Sequence, residues 1–161
     1  MAGLELSREE RALFNPAFTA LVCARAVQGH AKQYHRPCPL PVAMTATVMS
    51  LQPTIRKALP ATIRNGLMTW LNEHEAVRVA MSRNVAPLAA VVRPGILFAL
   101  QTEILCLDGP ALTLTPRAVG PIAEGDTEQN TAIQSAAHLL GRWLPSTGSI
   151  GTVLTLLGVQ L

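Results

Sequence analysis

Proline and glycine are spread along the whole of this 161-residue chain, and they limit its fold more than any other feature. Neither residue suits the interior of a helix or a strand, because proline lacks an N–H donor and glycine loses much conformational freedom on folding. Twelve prolines and eleven glycines therefore divide the chain into short segments. We expect one domain built from short elements, without internal repeats.

Helix boundaries are predicted from prolines and capping residues. Asn15 and Pro16 predict a first helix over 16–34, because Asn caps free N–H groups and Pro suits the first helical position. Pro37 and Pro39 should end that helix. Further helices are predicted over 40–51, 53–59, 62–72, 93–104, 127–143 and 150–158. Another helical segment should begin at Glu73 or Glu75 and kink or break at Pro87.

One β-hairpin is predicted between Ile104 and Thr115. The pair Asp108-Gly109 favours a tight turn, and it lies between two short apolar runs. Leu112 and Leu114 alternate with threonines, which indicates a strand with one buried face.

The predicted fold class is mainly α, a compact bundle of short helices with one late β-hairpin. A single domain, 1–161, would comprise an N-terminal arm (1–14), a helical core (15–105), the hairpin (104–116) and C-terminal helices (127–161). Ser7 and Glu10 in the arm fit a capping box. Helices followed by a hairpin resemble a winged-helix domain, which is an analogy of fold alone.

The chain carries little charge for its apolar content. Hydrophobic residues make up 49% and charged residues 14%, whereas a soluble domain carries roughly 25% charged residues. We therefore expect part of its surface to be covered by another subunit. The apolar runs 17–27, 39–49 and 150–159 are too short to cross a membrane, and the acidic N-terminus does not resemble a signal peptide. We expect no membrane segment and a cytoplasmic location.

Basic residues are concentrated in the first half of the chain. Every charged side chain from Arg11 to Asn72 is basic, and Arg56, Lys57 and Arg64 are the candidates for nucleic-acid contact. A solvated or partner-facing patch is the favoured alternative. The helix that would precede the wing carries Glu103 and no basic residue after Arg93, which would make it a poor reader of a DNA groove.

The sequence contains no recognisable catalytic constellation or phosphate-binding loop. Glu73-His74-Glu75 is the densest titratable cluster, but helical neighbours point away from each other. The spacing of His30, His35 and Cys38 fits no standard zinc module. We therefore predict no catalytic residue, no cofactor and no metal. The other titratable candidates are expected to be structural: Cys23 and Cys106 as buried, reduced cysteines, and His138 as a hydrogen-bonded core or interface residue.

Several segments in a fixed order suggest a family. They are NPAF before an apolar helix, PLP, QPTIRKALP, MTWLNEHEAVR and LLGRWLPSTGSIGTVLTLLGVQL. They resemble the small middle components of bacterial three-component ABC ATPase systems, and the resemblance covers nearly the whole chain, from Asn15 to about Val159. Lamassu is the best known type of these anti-phage or anti-plasmid operons.

The resemblance implies a non-catalytic adaptor. In such systems an SMC/Rad50-like ATPase senses foreign DNA, and a separate effector, often a nuclease, carries out the attack. The middle component would link these two partners. The residues expected to bind a partner are Trp70, Trp143, Leu154 and Leu157, with core packing as the alternative for both tryptophans. The alternative function is a winged-helix DNA-binding or regulatory module, and contact with DNA held by the ATPase would be indirect or weak.

Overall fold

The computed structural model describes residues 15–116 and 119–159. The predicted N-terminal arm and its Ser7–Glu10 capping box lie outside these residues. The described chain is mainly helical with a small antiparallel sheet, as the sequence predicts. The elements are α1 (Pro16–Tyr34), β1 (Cys38–Pro39), α2 (Leu40–Ser50), α3 (Pro53–Ala58), α4 (Leu67–Glu73), α5 (Glu75–Gln101), β2 (Leu105–Asp108), β3 (Ala111–Leu114), α6 (Glu128–Trp143), a 3-10 turn (Leu144–Thr147) and α7 (Ile150–Leu156).

Helix α1 lies at the centre of the fold. Its predicted bounds and cap are confirmed, since Asn15 Oδ1 accepts a hydrogen bond of 2.9 Å from the N–H of Ala17. The helix ends at His35, which adopts a left-handed conformation with φ 52°. It packs against α2, α5, α6 and the sheet, and most of its middle turns are completely buried. This position suits its composition, which is apolar around most of the circumference.

Helices α1 and α6 touch through their backbones. A Cβ added at Gly29 would collide with the carbonyl group of His138, and one added at Gly141 would collide with that of Ala26. Each glycine therefore allows the backbone of the other helix to come within contact distance. Gly95 on α5 also lies close to α1, where a Cβ would collide with the side chain of Thr19. Close packing of α1 against α5 and α6, rather than a turn, explains these three glycines.

Helix α5 runs unbroken from Glu75 to Gln101, with Pro87 and Pro94 inside it. The predicted break at Pro87 and the predicted new helix from Pro94 are therefore wrong. Both prolines are exposed, as are Arg83 and Ala90, whose carbonyl groups lose their helical partners. Water can satisfy such carbonyls, so the helix tolerates prolines on this side.

The continuity of α5 also corrects the expectation about membranes. Among the described residues, α5 is the one helix long and apolar enough, by length and composition alone, to cross a membrane. Only 22% of its most apolar 18-residue window is buried inside the chain. The expectation that no segment meets this test rested on the apolar runs 17–27, 39–49 and 150–159, which do not include this helix.

The sheet contains three strands in the order β1-β3-β2, all antiparallel. The predicted hairpin is confirmed, and Gly109 supplies the positive φ of 57° that its turn requires. The two-residue strand β1 was not predicted. Cys106 lies on the edge strand β2, where only Leu105 is buried, so the prediction that Cys106 is buried is wrong. Cys23 and Cys38 are buried free thiols.

Candidate partner-docking surface

The four predicted partner-binding residues, Trp70, Trp143, Leu154 and Leu157, are buried within the chain. The rings of Trp70 and Trp143 meet edge to face, with centroids 5.1 Å apart. Trp143 Nε1 donates to the carbonyl of Asn65, and Trp70 Nε1 donates to that of Ala58, each over 2.7 Å. This arrangement is core packing with satisfied N–H groups. A direct contact of these side chains with a partner stays a prediction.

The tryptophans also explain why α4 begins late. The predicted helix over 62–72 is observed only from Leu67, because residues 61–65 form bends and turns. The two indole N–H groups hold the carbonyls of Ala58 and Asn65 on either side of this segment. Gly66, in an extended conformation, then starts the helix.

The basic candidates do not form a uniform patch. The guanidinium of Arg56 donates to the carbonyl of Ser50 over 2.8 Å, and burial lowers its pKa from the ordinary value. Lys57 and Arg64 are exposed. Arg56 thus has a structural partner within the chain, whereas Lys57 and Arg64 are free to meet a polyanion. Nucleic-acid binding at these three residues stays a prediction.

The cluster at 73–75 is a helix junction. His74 lies between α4 and α5, its Nδ1 donates to the carbonyl of Trp70 over 2.8 Å, and its ring packs on that of Trp70. His30 is buried and His35 is exposed. Within 15–116 and 119–159, no group of three or more His, Cys, Asp or Glu could hold a metal ion.

Most of the apolar content of the chain is used in its core. Among the described residues, the large apolar side chains that stay exposed are Met68, Val79, Leu97, Leu107 and Ile122. Two of them, Val79 and Leu97, lie on α5 and are 52% and 59% exposed. The low charge content therefore does not produce one continuous apolar exterior. It leaves a restricted apolar area, and α5 carries a large share of it.

A grooved face lies where α5 passes α2 and the C-terminal segment, and we call it the α5–α7 surface. One groove of about 310 Å³ is lined mainly by apolar side chains, with Arg93 among them. Its walls come from α2, α5 and the end of the chain: Pro41, Met44, Thr45, Val48, Val85, Ala86, Ala89, Leu154 and Val159. A second, more open groove of about 550 Å³ continues toward the start of α5, lined by Glu75, Arg78, Val79, Ser82, Arg83 and Gly158.

The end of α7 positions the C-terminal wall of both grooves. Gly158 has a φ of 74°, and the N–H of Val159 donates to the carbonyl of Leu154 over 2.9 Å. A left-handed glycine followed by such a bond is a common way to end a helix. It turns the chain so that Gly158 lines one groove and Val159 lines the other. Leu154, predicted to bind a partner, also lines the apolar groove.

The charge on α5 is almost entirely basic. Arg78, Arg83 and Arg93 are exposed along it, and Glu75 at its start is its only acidic residue. These arginines, together with Val79, were missed as site residues because the helix was expected to break. Had α5 been predicted as continuous, the helical spacing of Val79, Arg83 and Arg93 would have placed them on one exposed side.

Comparisons with known proteins identify the family of the chain. No curated protein and no solved structure matches it, so the winged-helix resemblance stays an analogy of fold. A family model for middle component 3 (MC3) of the ABC-three component (ABC-3C) system matches residues 4–161. The chain therefore belongs to the MC3 family and is an accessory subunit of a three-component ABC system, with other subunits as its partners.

Proposed function

We propose that this chain is a non-catalytic adaptor that links the ABC ATPase of its system to an effector. The observation that carries the proposal is the exposed side of α5, which is apolar and basic and lies beside two grooves. A face of this kind is typical of a helix that packs against another protein.

The proposed occupant of the α5–α7 surface is an acidic amphipathic helix of the ATPase subunit. Its apolar side would cover Val79, Leu97 and the apolar groove, and removing each half-exposed side chain from water contributes about 1 kcal/mol. Its acidic side would face Arg78, Arg83 and Arg93, which would speed association and fix the orientation. Charge complementarity favours this occupant, because α5 offers three arginines and one glutamate.

The resemblance seen in the sequence extends the proposal to the whole system. The ATPase would be of the SMC/Rad50 type, the effector a nuclease, and the system an anti-phage or anti-plasmid defence related to Lamassu. In this arrangement Lys57 and Arg64 would touch DNA only weakly, while the ATPase holds it. The adaptor would work in the cytoplasm, with α5 covered by protein rather than by lipid.

Co-purification tests the docking surface. The three subunits are co-expressed with a tag on the ATPase, and the double variant V79D/L97D is compared with the wild type. The matched control is M68D/L107D, which places the same charges on residues that are 56% and 61% exposed elsewhere. We expect V79D/L97D to lose the ATPase while M68D/L107D keeps it, with both variants unfolding at wild-type temperature. Equal recovery of the ATPase with both variants would contradict the proposed surface.

Charge reversal provides a second test of the same occupant. The double variant R83E/R93E should weaken recovery of the ATPase at low salt, and acid-to-lysine changes in the partner helix should restore it. The matched control is K57E/R64E, which reverses two exposed charges away from α5. A loss that no partner variant restores, or an equal loss in the control, would argue against an acidic partner helix.

The non-catalytic role and the location are tested separately. The isolated chain should hydrolyse neither ATP nor DNA, and H74A should leave the activity of the complete complex unchanged. Fractionation of cells should recover the complex in the soluble fraction. Recovery of the chain in the membrane fraction after a carbonate wash would mean that α5 meets lipid instead of a partner helix.

A further inference from the structure

A separate pocket lies away from the α5–α7 surface, between α1, α6 and the segment that precedes α6. We call it the α1–α6 pocket. Its volume is about 270 Å³, and the polar side chains that line it include Arg25, Gln28, Lys32, Ser135 and His138. Pro121, Ile122 and Ala123 form the remaining wall.

Arg25 holds this wall in place. Its guanidinium donates to the carbonyl oxygens of Gly120 and Ile122, the latter over 2.9 Å, and its Nε donates to Gln134 Oε1 over 3.0 Å. Gln28 also donates to Gly120, and Gln134 donates to the carbonyl of Glu124. The segment that closes the pocket is therefore fixed by side chains from both helices. A pocket with such a wall needs little rearrangement to receive a ligand.

Positive charge converges on this pocket. Arg25 is 4% exposed, and its hydrogen bonds go to neutral oxygens rather than to a carboxylate. The pKa of His138 lies below its ordinary value of 6.5. Burial is the largest cause, and the charges of Arg142, Lys32 and Arg25 follow. Burial also lowers the pKa of Arg25, and the negative charge of the exposed Glu124 partly opposes this shift. Three cations thus act on His138, two of them lining the pocket, and their mutual repulsion favours a bound anion.

The size of the pocket limits the anion. Its volume of about 270 Å³ lies below the range of roughly 300–1,000 Å³ that is usual for drug-sized ligands. A water molecule takes roughly 30 Å³ of liquid, so a phosphate ion with a few waters fits while a whole nucleotide is crowded. Phosphate carries about 1.5 negative charges at neutral pH and several acceptor oxygens. These oxygens can accept hydrogen bonds from donors on both helices, namely Lys32 on α1 and Ser135 and His138 on α6.

We propose that the α1–α6 pocket binds a phosphate-type oxyanion between Lys32, Ser135 and His138. Arg25 contributes its charge and the fixed wall, and Lys32 and protonated His138 donate hydrogen bonds. Ser135 lies on the same side of α6 as His138 and adds a hydroxyl donor. The site is independent of the adaptor role, because it shares no residue with the α5–α7 surface.

Anion binding should be coupled to protonation of His138. The charged groups that act on this ring are Arg25 and Lys32 from α1 and Arg142 from α6, and Glu124 in the loop acts on Arg25. A bound anion offsets the three cations and therefore raises the pKa of His138. By linkage, an oxyanion of constant charge should bind more tightly as the pH falls through the range in which His138 gains its proton.

Thermal unfolding in phosphate tests the site on the full chain, co-purified with its partners where that is needed for solubility. The unfolding temperature is measured against inorganic phosphate and against sodium chloride at equal ionic strength. We expect a saturable rise with phosphate alone, and apparent dissociation constants at least ten-fold weaker in K32Q and H138Q. The matched control K57Q should bind like the wild type. Equal responses to phosphate and chloride, or unchanged affinity in K32Q and H138Q, would overturn the proposal.

Two further measurements protect the test from folding defects. The mild variant S135A should weaken phosphate binding while unfolding at wild-type temperature in chloride. NMR of the imidazole should show the pKa of His138 rising by at least half a unit with phosphate, and no rise would count against the site.

AMP in place of phosphate distinguishes two sources of the anion. Equal binding indicates a terminal phosphate of a larger molecule, and binding of phosphate alone indicates the free ion. Either result supports the site.

Discussion

The backbone contact between α1 and α6 makes the variant G141A a sharp test of the fold. The new Cβ would lie 2.9 Å from the carbonyl carbon and 3.1 Å from the Cα of Ala26, and closer still to its carbonyl oxygen. These are backbone atoms of a buried helix, so no flexible side chain can move out of the way. The two helices must separate, and Gly29 would lose its contact with His138 as they do.

The expected destabilisation follows from two opposing contributions. Replacing Gly by Ala inside an exposed helix stabilises it by about 1 kcal/mol. Overpacking a tight core costs up to about 3 kcal/mol, and a clash with backbone belongs near that upper end. The net loss for G141A is therefore about 2 kcal/mol, and the unfolding temperature should fall by roughly 4–8 °C in a chain of this length.

Gly151 provides the matched control, because it is an exposed glycine in a helix with only Ser149 Oγ near its missing Cβ, at 3.8 Å. The same change, G151A, should leave the unfolding temperature unchanged or raise it by up to roughly 4 °C. Both variants are measured by thermal and urea unfolding followed by circular dichroism. A G141A variant as stable as the wild type would refute the close contact of α1 with α6.

Three further predictions concern single residues. Cys106 should react with a thiol reagent in the native chain, whereas Cys23 and Cys38 should react only after unfolding, because burial raises the pKa of each to about 12; mass spectrometry of labelled peptides separates the three. Burial lowers the pKa of His30, so the unfolded chain binds an extra proton below about pH 6.5 and stability should fall from pH 7 to pH 5; urea unfolding of H30L should show a weaker fall. W143F should lose about 3 kcal/mol of unfolding free energy, from a cavity and the missing bond to Asn65, and a loss below 1 kcal/mol would argue against this packing.

The sequence predicts those elements whose boundaries depend on local chemistry. Asn15 and Pro16 define the start of α1 through a side-chain cap, and Asp108-Gly109 defines the turn of the hairpin. Both need only neighbouring residues to act. The continuity of α5 is different, because the cost of Pro87 depends on whether the carbonyl it leaves unpaired faces water. That orientation is set by packing of the other side of α5 against α1, which sequence patterns do not show.

The candidate surfaces were harder to predict for the same reason. Tryptophan suits both a core and an interface, and only the contacts of Trp70 with Ala58 and of Trp143 with Asn65 show that these two pack inside. Strand β1 needs β3 as a partner from more than 70 residues away, at Leu112 and Ala111. The α1–α6 pocket likewise joins side chains that are distant along the chain. Exposure and convergence of charge are properties of the tertiary structure, not of spacing.

The central position of α1 has a consequence for synthesis of the chain. Its Arg25 is bound by Gln134, which is 109 residues later in the sequence. At about 5–20 residues per second, roughly 5–20 s pass between synthesis of α1 and synthesis of α6, the helix that packs most extensively on it. During that interval an apolar helix is without its native contacts, and nascent chains in that state are targets for chaperones. Folding must therefore be completed near the end of translation, which leaves assembly with the other subunits as a late step.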